Sequence, residues 1–325
     1  MKFSMHIERW PAIRPFRITG KVWDSFESVV VELSHDGSTG RGEALGVYYL
    51  EETADSIGVQ IEGIAGRLRG GLDRAQLQEL LPPGGARNAI DCALWDLECK
   101  TSGRTIWQLT GVTPKSLETV FTIGIEATPQ EMADKAAAAA GHGLLKIKLD
   151  ADRPLARLQA IRKARADVRI VVDANQGWTF AELVAIAPAF FELGVEMIEQ
   201  PLRRGADAEL QGYRSPVPLC ADESCLHIGD LAQAAGRYQL INIKLDKTGG
   251  LTHALELARA ARARGMGLMT GCMAGSSLAM APTFVVACLS DLVDIDGPLL
   301  QKFDRPCGLT FDGGRVAVFT PSLWG

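Results

Sequence analysis

The sequence lacks the long apolar runs, the basic clusters and the paired cysteines that would assign it to a membrane, to nucleic acid or to a disulfide framework. None of its apolar stretches reaches the roughly eighteen residues of a membrane span, and the first residues, MKFSMHIERWP, lack the apolar centre of a signal peptide. The net charge is −5 and no basic stripe occurs, which disfavours nucleic-acid binding. We therefore expect a cytoplasmic protein with no membrane or nucleic-acid partner.

Cysteine and histidine also lack the spacings that carry metal or redox chemistry. The seven cysteines include no CxxC pair and are odd in number, which argues against both structural zinc and a disulfide framework. The five histidines show no metal-ligand spacing. We expect the cysteines to be reduced thiols in the core.

The first part of the chain, residues 1–115, has the pattern of an α+β domain. The segment SVVVELSHDGSTGRGEAL alternates apolar and polar residues and turns at Asp36-Gly37, which predicts a hairpin. Apolar residues at helical spacing follow over 57–68 and 86–103. With 47% hydrophobic residues, the chain can bury this smaller domain and one large core besides.

From residue 116 to 298 the pattern changes to short apolar runs that alternate with helical segments. Each interval holds one strand and one crossover helix, and the near-continuous apolar character is typical of strands buried on both faces. Eight strands joined by seven such crossovers predict a (β/α)7β TIM-like barrel of the α/β class, capped by the α+β domain. Residues 299–325 contain LTFDGGRVAVF, which predicts a hairpin at Asp312-Gly313, and we expect this tail to return to the capping domain and complete it. The eight runs are VFTIGI, LLKIKLD, RIVVDAN, VEMIEQP, PLCADES, LINIKLD, GLMTGCM and LVDIDGP.

Charged residues stand where these runs end, and in a barrel those positions surround one pocket. Alternation places Lys146 and Lys148 on the same face of LLKIKLD, which is costly unless anions lie opposite. Asp173, Glu199 and Asp222 end three successive strands, so their carboxylates can converge. One acidic strand end alone is more often a loop residue or a helix cap, but three hard oxygen ligands suit Mg²⁺ better than zinc.

These motifs resemble the dipeptide epimerases of the enolase superfamily, in its muconate-lactonizing subgroup. The resemblance rests on KIKLD, VVDAN, IEQP, ADES, NIKLDKTGG, GCM and DIDGP in this order, with WPxxxPF at 10–16, GRGEA at 40–44 and ARNAIDCALWDLE at 86–98. It covers essentially the whole chain. It implies Mg²⁺ bound by Asp173, Glu199 and Asp222, two acid/base lysines at 148 and 244, Lys146 beside the substrate carboxylate, and Asp294 and Asp296 around the α-ammonium of a dipeptide.

The two acid/base lysines would make the enzyme an isomerase. Lys148 ends the second strand of the ring and Lys244 ends the sixth, nearly opposite, so they can approach an α-carbon from opposite faces. One lysine removes a proton and the other returns one, which is a 1,1-proton transfer. The expected partner is a small dipeptide, and a homo-oligomer is possible on this sequence.

The resemblance implies that two segments of the capping domain, 17–28 and 46–56, are loops that select the dipeptide. Lys21 is the only cation expected deep in the first loop, whereas the second carries Tyr48 and Tyr49 followed by Glu51 and Glu52. That acidic pair would repel a carboxylate, so we expect a neutral or basic second residue, with L-Ala-L-Glu as a weaker candidate held by Lys21 alone. The alternative is that the two tyrosines only pack the lid onto the barrel.

Two further functions remain open on the sequence. An N-acylamino acid racemase or an o-succinylbenzoate synthase would share the metal triad and both lysines, but its substrate has no free ammonium, so DIDGP favours the dipeptide. A non-catalytic binding barrel would use the charged strand ends as internal ion pairs, and it would have no need of all of them together. Gly271, Cys272 and Met273 of the GCM motif complete the predicted substrate-binding set, and Cys272 lacks a base partner.

Overall fold

The chain begins with an antiparallel sheet of three strands, in the order β1-β2-β3. The computed structural model describes residues 1–325. The strands are β1 (Lys2–Ile18), β2 (Lys21–His35) and β3 (Ser38–Ala44). The predicted hairpin is confirmed, because His35 pairs with Ser38 and the backbone at Asp36 and Gly37 has φ of 48° and 81°, as a tight two-residue turn requires.

The predicted loop over 17–28 is wrong, because these residues form the tip of a second hairpin. Ile18 pairs with Lys21, and Gly20 takes φ of 72° in the turn. The flanking residues alternate between apolar and polar, so they extend the two strands rather than leaving them. We call residues 16–23 the hairpin tip.

Five helices follow this sheet. They are α1 (Ala54–Gly63), α2 (Ala65–Gly70), α3 (Arg74–Leu80), α4 (Gly85–Ser102) and α5 (Ile106–Thr110), and a 3-10 turn, Tyr48–Leu50, precedes them. Helices α1, α2 and α4 contact the strands of the sheet, and α3 and α5 contact α4. Helix α4 lies directly against β3, where a Cβ at Gly42 would fall 2.1 Å from the carbonyl oxygen of Ala89. Only glycine permits so close an approach of strand and helix.

The predicted barrel is confirmed as eight parallel strands that neighbour each other in chain order. The Val120 N–H donates to the Val293 carbonyl at 2.9 Å and so joins the first strand to the last. The apolar interior of the ring is filled at its lower end by side chains such as Leu144, Val171 and Met197. The strands are β5 (Phe121–Ile123), β6 (Leu144–Lys148), β7 (Arg169–Asp173), β8 (Val195–Glu199), β9 (Leu219–Ala221), β10 (Leu240–Ile243), β11 (Gly267–Thr270) and β12 (Leu292–Val293).

Helices cover the outside of the ring, except at one connection. They are α6 (Pro129–Ala138), α7 (Pro154–Ala164), α8 (Phe180–Glu192), α9 (Leu231–Ala235), α10 (Leu245–Thr248), α11 (Leu251–Ala263) and α12 (Ser277–Ala287). Between β8 and β9 there is only a 3-10 turn, Ala208–Leu210, because the segment 201–218 contains three prolines and two glycines that disfavour a helix. No helix is both long and apolar enough to cross a membrane.

The tail forms a hairpin, but its turn is at Gly313-Gly314, one residue later than predicted, because Asp312 pairs with Arg315. This hairpin pairs with the start of the barrel region rather than with the capping sheet. Strands β13 (Phe311–Asp312) and β14 (Arg315–Val316) make a small sheet with β4 (Leu117–Glu118). Other parts of the tail contact the first part of the chain: Trp324, which is fully buried, donates from Nε1 to the Arg41 carbonyl at 3.0 Å. The domain boundaries at 115 and 298 remain a prediction.

The cysteines are free thiols, as expected, but not all of them lie in the core. Five are buried, whereas Cys272 is partly exposed and Cys307 is exposed. Cys307 stands in a left-handed turn with φ of 58°, outside any regular element, so nothing packs over it.

Candidate active site

The polar layer of the barrel follows directly from strand alternation. In β6, Leu144 fills the lower interior of the ring, and the next inward positions are Lys146 and Lys148. The intervening residues, Leu145 and Ile147, belong to the core between strands and helices. Lys146 is 1% exposed and Lys148 8%, so both ammonium groups need anionic partners.

Those partners are the predicted acidic residues. The Lys146 Nζ lies 2.6 Å from Asp294 Oδ2, 2.7 Å from Glu199 Oε2 and 3.2 Å from Asp173 Oδ2. The Lys148 Nζ donates to Asp173 Oδ2 at 2.5 Å. The structure therefore brings two lysines and three carboxylates from four strands into one network.

A second ion pair lies across the ring. The Lys244 Nζ donates to Asp222 Oδ2 at 2.6 Å. Burial lowers the pKa of Lys244, but the surrounding charges, with Asp222 the largest of them, outweigh burial and raise this pKa above the ordinary lysine range. Burial likewise lowers the pKa of Lys146, and Asp294 leads the charges that raise it overall. Both lysines therefore carry a positive charge in this arrangement.

The three predicted metal ligands lie side by side but are held by these lysines. Asp173 pairs in register with Glu199, and Glu199 with Cys220, two residues before Asp222. In the present side-chain arrangement no three acidic groups form a set that could hold one ion. The lysine ammonium groups lie against these carboxylates, and the role of the three residues as metal ligands stays a prediction.

The donor set nevertheless fits a hard divalent cation. All three side chains are carboxylates, with neither histidine nor thiolate among them, which is the ligand chemistry of Mg²⁺. Glu199 Oε2 is buried without a hydrogen bond, although Lys146 Nζ is 2.7 Å away, since the ammonium lies off the hydrogen-bonding direction. Burial, followed by the charge of Asp173, raises the pKa of Glu199. An added cation would stabilise this carboxylate.

Asn242 and Lys247 support the carboxylates and were missed in the sequence. The Asn242 Nδ2 donates to Glu199 Oε1 at 2.7 Å, and the Lys247 Nζ donates to Asp222 Oδ1 at 2.7 Å. Alternation in INIKLD places Asn242 on the same face as Lys244, so this residue could have been found. The NIKLDKTGG motif contained Lys247, but no pattern gave it a role.

Two other residues near the network differ from expectation. A Cβ at Gly271 would fall 2.7 Å from Asn242 Oδ1, so this glycine makes room for Asn242 rather than for a ligand. Glu223 is buried with both carboxylate oxygens lacking a hydrogen bond, and burial, with the charge of Asp222 next, raises its pKa to about 8. Sequence reasoning assigned no role to Glu223, although it follows Asp222 directly.

Asp294 and Asp296 form a second acidic pair at the last strand. The Thr122 N–H donates to Asp296 Oδ2 at 2.7 Å. Burial, with the charge of Asp294 next, raises the pKa of Asp296 to about 8. Burial alone would raise the pKa of Asp294 as well, but the Lys146 ammonium brings it below the usual range. The pair therefore has the capacity to accept one further cation.

A cavity of about 80 Å³ opens above the strand ends. Of the predicted residues, Lys148, Lys244, Asp294, Asp296, Tyr48, Cys272 and Met273 line it. The predicted residues that lie outside the lining are Lys146, Gly271, Lys21, Tyr49 and the three metal-ligand candidates Asp173, Glu199 and Asp222. Its remaining walls are Phe16, Ile18, Trp23, Phe26, Thr122, Asn175, Ala274 and Leu300. The cavity is thus charged at its base and largely apolar at its roof, with the base on the barrel and most of the roof on the hairpin tip.

The two tyrosines of the second predicted loop have different positions. Tyr48 lines the cavity and meets Trp23 edge-on, with ring centroids 5.2 Å apart. Tyr49 packs edge-on against Tyr48, and its hydroxyl is buried without a partner. Lys21 places its Nζ 4.9 Å from the centre of the Tyr48 ring and 5.3 Å from that of Trp23, so its cation stands on the outer side of two cavity walls.

Neither glutamate of this segment reaches the cavity. Glu51 is exposed, and the Glu52 carboxylate accepts the Val47 N–H at 2.8 Å and the Gly85 N–H at 3.1 Å. The repulsion that we expected between this pair and a substrate carboxylate therefore has no structural basis.

Comparison with known proteins places this architecture in a family. Residues 3–111 match the "Mandelate racemase / muconate lactonizing enzyme, N-terminal domain" family and residues 130–318 match the "Enolase C-terminal domain-like" family. The chain is 41% identical to the L-Ala-D/L-Glu epimerase of Escherichia coli K12, over 95% of this chain and 97% of that one. It is 44% identical to an N-acetyl-D-glutamate racemase of Pseudoalteromonas, over 78% and 80% of the two chains.

Solved structures of related proteins indicate the same family. An enolase family member from Agrobacterium tumefaciens with homology to dipeptide epimerases, solved with sodium and L-Ala-L-Glu, superposes with a TM-score of 0.97 at 41% identity over 99% of both chains. Two more distant dipeptide epimerase structures, 26% and 29% identical, hold Mg together with L-Leu-L-Tyr and L-Arg-D-Lys.

The capping sheet, the eight-strand barrel and the lysines that face carboxylates at the strand ends define an enzyme of the enolase type. The predicted enzyme class, an isomerase acting as a racemase or epimerase, is confirmed by these relatives. The chain belongs to the dipeptide epimerases of the enolase superfamily.

Proposed function

We propose that this chain inverts the α-carbon of the C-terminal residue of a dipeptide, with Mg²⁺ as its cofactor and L-Ala-L-Glu or its D-Glu epimer as the substrate. The observation that carries the proposal is the pair of lysines. Lys148 and Lys244 line the same cavity and come from the second and the sixth strand of an eight-strand ring. Strands four places apart in such a ring lie across from each other, so the two amines can reach opposite faces of one α-carbon.

Proton transfer then follows from the chemistry of a carboxylate substrate. Removal of the α-proton adds a second negative charge to the substrate, which is delocalised onto the oxygens of its carboxylate. A bound divalent cation would supply the positive charge that stabilises both negative charges. Lys146, with three carboxylates around it, would lie beside the same substrate carboxylate. One lysine takes the proton from its face of the carbon, and the other donates a proton from the opposite face, which inverts the centre.

A lysine acts as a base only when it is neutral. Asp222 now pairs with Lys244 and favours the charged form of that amine. If Asp173, Glu199 and Asp222 bind Mg²⁺ instead, their charge is shared with the metal, so the lysines lose part of the stabilisation of their ammonium forms. The ligand set would thus serve two purposes: it would hold the cation, and it would lower the cost of deprotonating the bases.

The substrate's free ammonium would meet Asp294 and Asp296. These carboxyl groups line the cavity, and the raised pKa of Asp296, about 8, reflects burial and a second negative charge that a cation would offset. A charge-assisted pair of this kind contributes about 1.5–3 kcal/mol. This arrangement supports a dipeptide rather than a substrate whose nitrogen is acylated.

Glutamate as the inverted residue is supported by both the relatives and the lid. Two relatives above 40% identity are named for glutamate derivatives, and neither Glu51 nor Glu52 lines the cavity. Lys21 has no acidic partner, and its amine rests against the rings of Trp23 and Tyr48. Rotation about its flexible stem would bring this charge to a carboxylate at the cavity mouth.

The test compares L-Ala-L-Glu with L-Ala-L-Leu. We expect kcat/KM to favour L-Ala-L-Glu in the wild type, and this preference to fall by about 10- to 100-fold in Lys21→Ala, since one charged hydrogen bond is lost. Val22→Ala serves as the matched control, because Val22 is an exposed neighbour that does not line the cavity. A wild type that prefers L-Ala-L-Leu would overturn the choice of glutamate and restore the neutral residue expected from the sequence.

A second candidate is racemisation of N-acetylglutamate, favoured by the 44% identical relative. It would use the same lysines and metal ligands but would offer Asp294 and Asp296 no substrate ammonium. Turnover of N-acetyl-L-Glu and L-Ala-L-Glu by one preparation separates the two functions. Asp296→Asn should weaken only the dipeptide reaction.

A further inference from the structure

A second, larger cleft lies next to the active-site cavity. Its volume is about 800 Å³, against about 80 Å³ for the cavity itself. It is bounded by the β1 segment 13–17, by β5, by α6 and by the turn at 299–300. It contains none of the lysines or carboxylates of the site.

Three side chains line both spaces: Phe16, Thr122 and Leu300. They come from the hairpin tip, from the first barrel strand and from the 3-10 turn after DIDGP. Thr122 is 9% exposed, and Phe16 and Leu300 pack with the apolar cluster of Trp10, Ala12 and Phe26 beneath the tip. Together the three residues form a partition between the cavity and the cleft.

The partition is held in place by hydrogen bonds between the tip and the barrel. The Ile125 N–H donates to the Arg17 carbonyl at 3.0 Å, and Thr19 Oγ1 donates to the Ala174 carbonyl at 3.0 Å. A Cβ at Gly124 would fall 2.9 Å from the same Arg17 carbonyl. The backbone beside Phe16 is therefore fixed against the barrel on two sides.

The partition stands at the amino end of the proposed substrate. Asp296 accepts the Thr122 N–H, so an ammonium held by Asp294 and Asp296 lies beside the strand that carries Thr122. The first residue of the dipeptide then faces the partition rather than the hairpin lysine. Relatives with the same barrel hold dipeptides that begin with leucine or arginine, so the barrel itself does not exclude a large first residue.

We propose that Phe16, Thr122 and Leu300 restrict the group on the amino side of the inverted residue to about the size of alanine. This inference rests on the proposed function, since it places the ammonium at Asp294 and Asp296. An opening in the partition would join the cavity to the cleft, and a larger first side chain would then extend into the cleft. The small acetyl group of the N-acetylglutamate reaction meets the same size limit.

The experiment measures kcat/KM for L-Ala-L-Glu and L-Leu-L-Glu in wild type, Leu300→Ala and Phe16→Ala. The wild type should favour L-Ala-L-Glu by at least about ten-fold, and each opening variant should raise the leucine-to-alanine ratio by about ten-fold or more, as expected for removal of several buried methylene groups. Ile13→Ala is the matched control, because Ile13 lines only the cleft, and its ratio should equal that of the wild type.

Two results would overturn the partition. One is a wild type that uses L-Leu-L-Glu as well as L-Ala-L-Glu, and the other is an unchanged ratio in both opening variants. Phe16→Leu replaces Phe16→Ala if the latter does not fold. If the wild type turns over no dipeptide, the proposed function fails, and the partition is judged separately with N-acetyl-L-Glu against N-hexanoyl-L-Glu in the same variants.

Discussion

Individual side chains in this site are positioned by charge. Lys146, Lys148 and Lys244 are nearly buried, and each lies within 2.7 Å of at least one carboxylate. Removing one member of such a pair leaves the other buried without a counter-charge, which is more costly than losing a contact at the surface. Substitutions here therefore have to be checked for folding before their kinetics are interpreted.

We expect Lys148→Ala and Lys244→Ala each to lower the rate of epimerisation by about 100- to 10,000-fold, because each removes one of two acid/base groups. Each variant should still exchange the α-proton of one epimer with D₂O without inversion, and the two variants should prefer opposite epimers. Proton NMR in D₂O measures both rates. Lys163→Ala, at an exposed position of α7, is the control. Exchange of the same epimer by both variants would contradict the two-face arrangement.

At this scale the alternation of a strand predicted much of the site. It placed Lys146 and Lys148 on the inward face, and it would have placed Asn242 there as well. It could not predict that the lysines pair with the three acidic strand ends, since that contact depends on how neighbouring strands are registered. The position of Lys21 on the outer side of two aromatic rings was likewise beyond sequence, because it depends on side-chain packing in the lid.

Elements of the first part of the chain act as the roof, and one turn shows how they are tied together. Glu52 accepts the N–H groups of Val47 and Gly85, and Gly84 provides no side-chain cap for α4. Glu52 thus caps α4 from a distance and fixes the 3-10 turn that carries Tyr48.

Glu52→Ala should lower the free energy of unfolding by about 1–3 kcal/mol, because buried N–H groups lose their acceptor. It should also raise KM, since Tyr48 lines the cavity. Thermal denaturation and steady-state kinetics measure the two effects. Glu51→Ala is the matched control at an exposed position, and equal melting temperatures for the two variants would show that Glu52 does not hold the turn.

Sequence patterns predicted element types well where periodicity ran long, as in α4 and the eight barrel strands. Two predictions of element type were wrong. The loop over 17–28 was expected from the family resemblance rather than from periodicity, and these residues instead belong to two strands that meet at the two-residue turn Thr19-Gly20. The connection after β8 lacks the expected crossover helix because its prolines and glycines disfavour one.

The whole molecule is joined through its tail. Trp324 is fully buried and donates from Nε1 to the carbonyls of Arg41 and Cys92, in β3 and α4. Arg305 pairs with Glu8 and, at 2.9 Å, with Glu43, and Glu43 also accepts the Ser276 N–H at 3.0 Å. Capping sheet, barrel and tail therefore share buried polar contacts.

Trp324→Ala should lower stability by about 3–5 kcal/mol, the usual cost of removing a large buried aromatic side chain. The midpoint of chemical denaturation measures the change. Val318→Ala, at a largely exposed position of the same tail, should shift the midpoint little. A change in the free energy of unfolding as small as that of Val318→Ala would show that the contacts of Trp324 do not stabilise the protein.

At this scale the sequence was least informative. The order of the barrel strands followed from their number and spacing, but the partition between cavity and cleft joins residues 16, 122 and 300, which no local pattern links. The same is true of the contacts that the tail makes, since they become visible only when both ends of the chain are placed on the barrel.

The long first hairpin has one irregularity. Between Pro11 and Phe16 strand β1 leaves its partner, so that four residues of β1 face a single residue of β2, and Ala12 instead bridges to Gln301. Residues gained or lost in this bulge would alter the distance from the sheet to the hairpin tip without shifting the strand register on either side. Substrate range and catalytic rate can for this reason change independently. A change of length in the bulge of β1 would alter the roof of the cavity, while the lysines and carboxylates in the barrel stay in place.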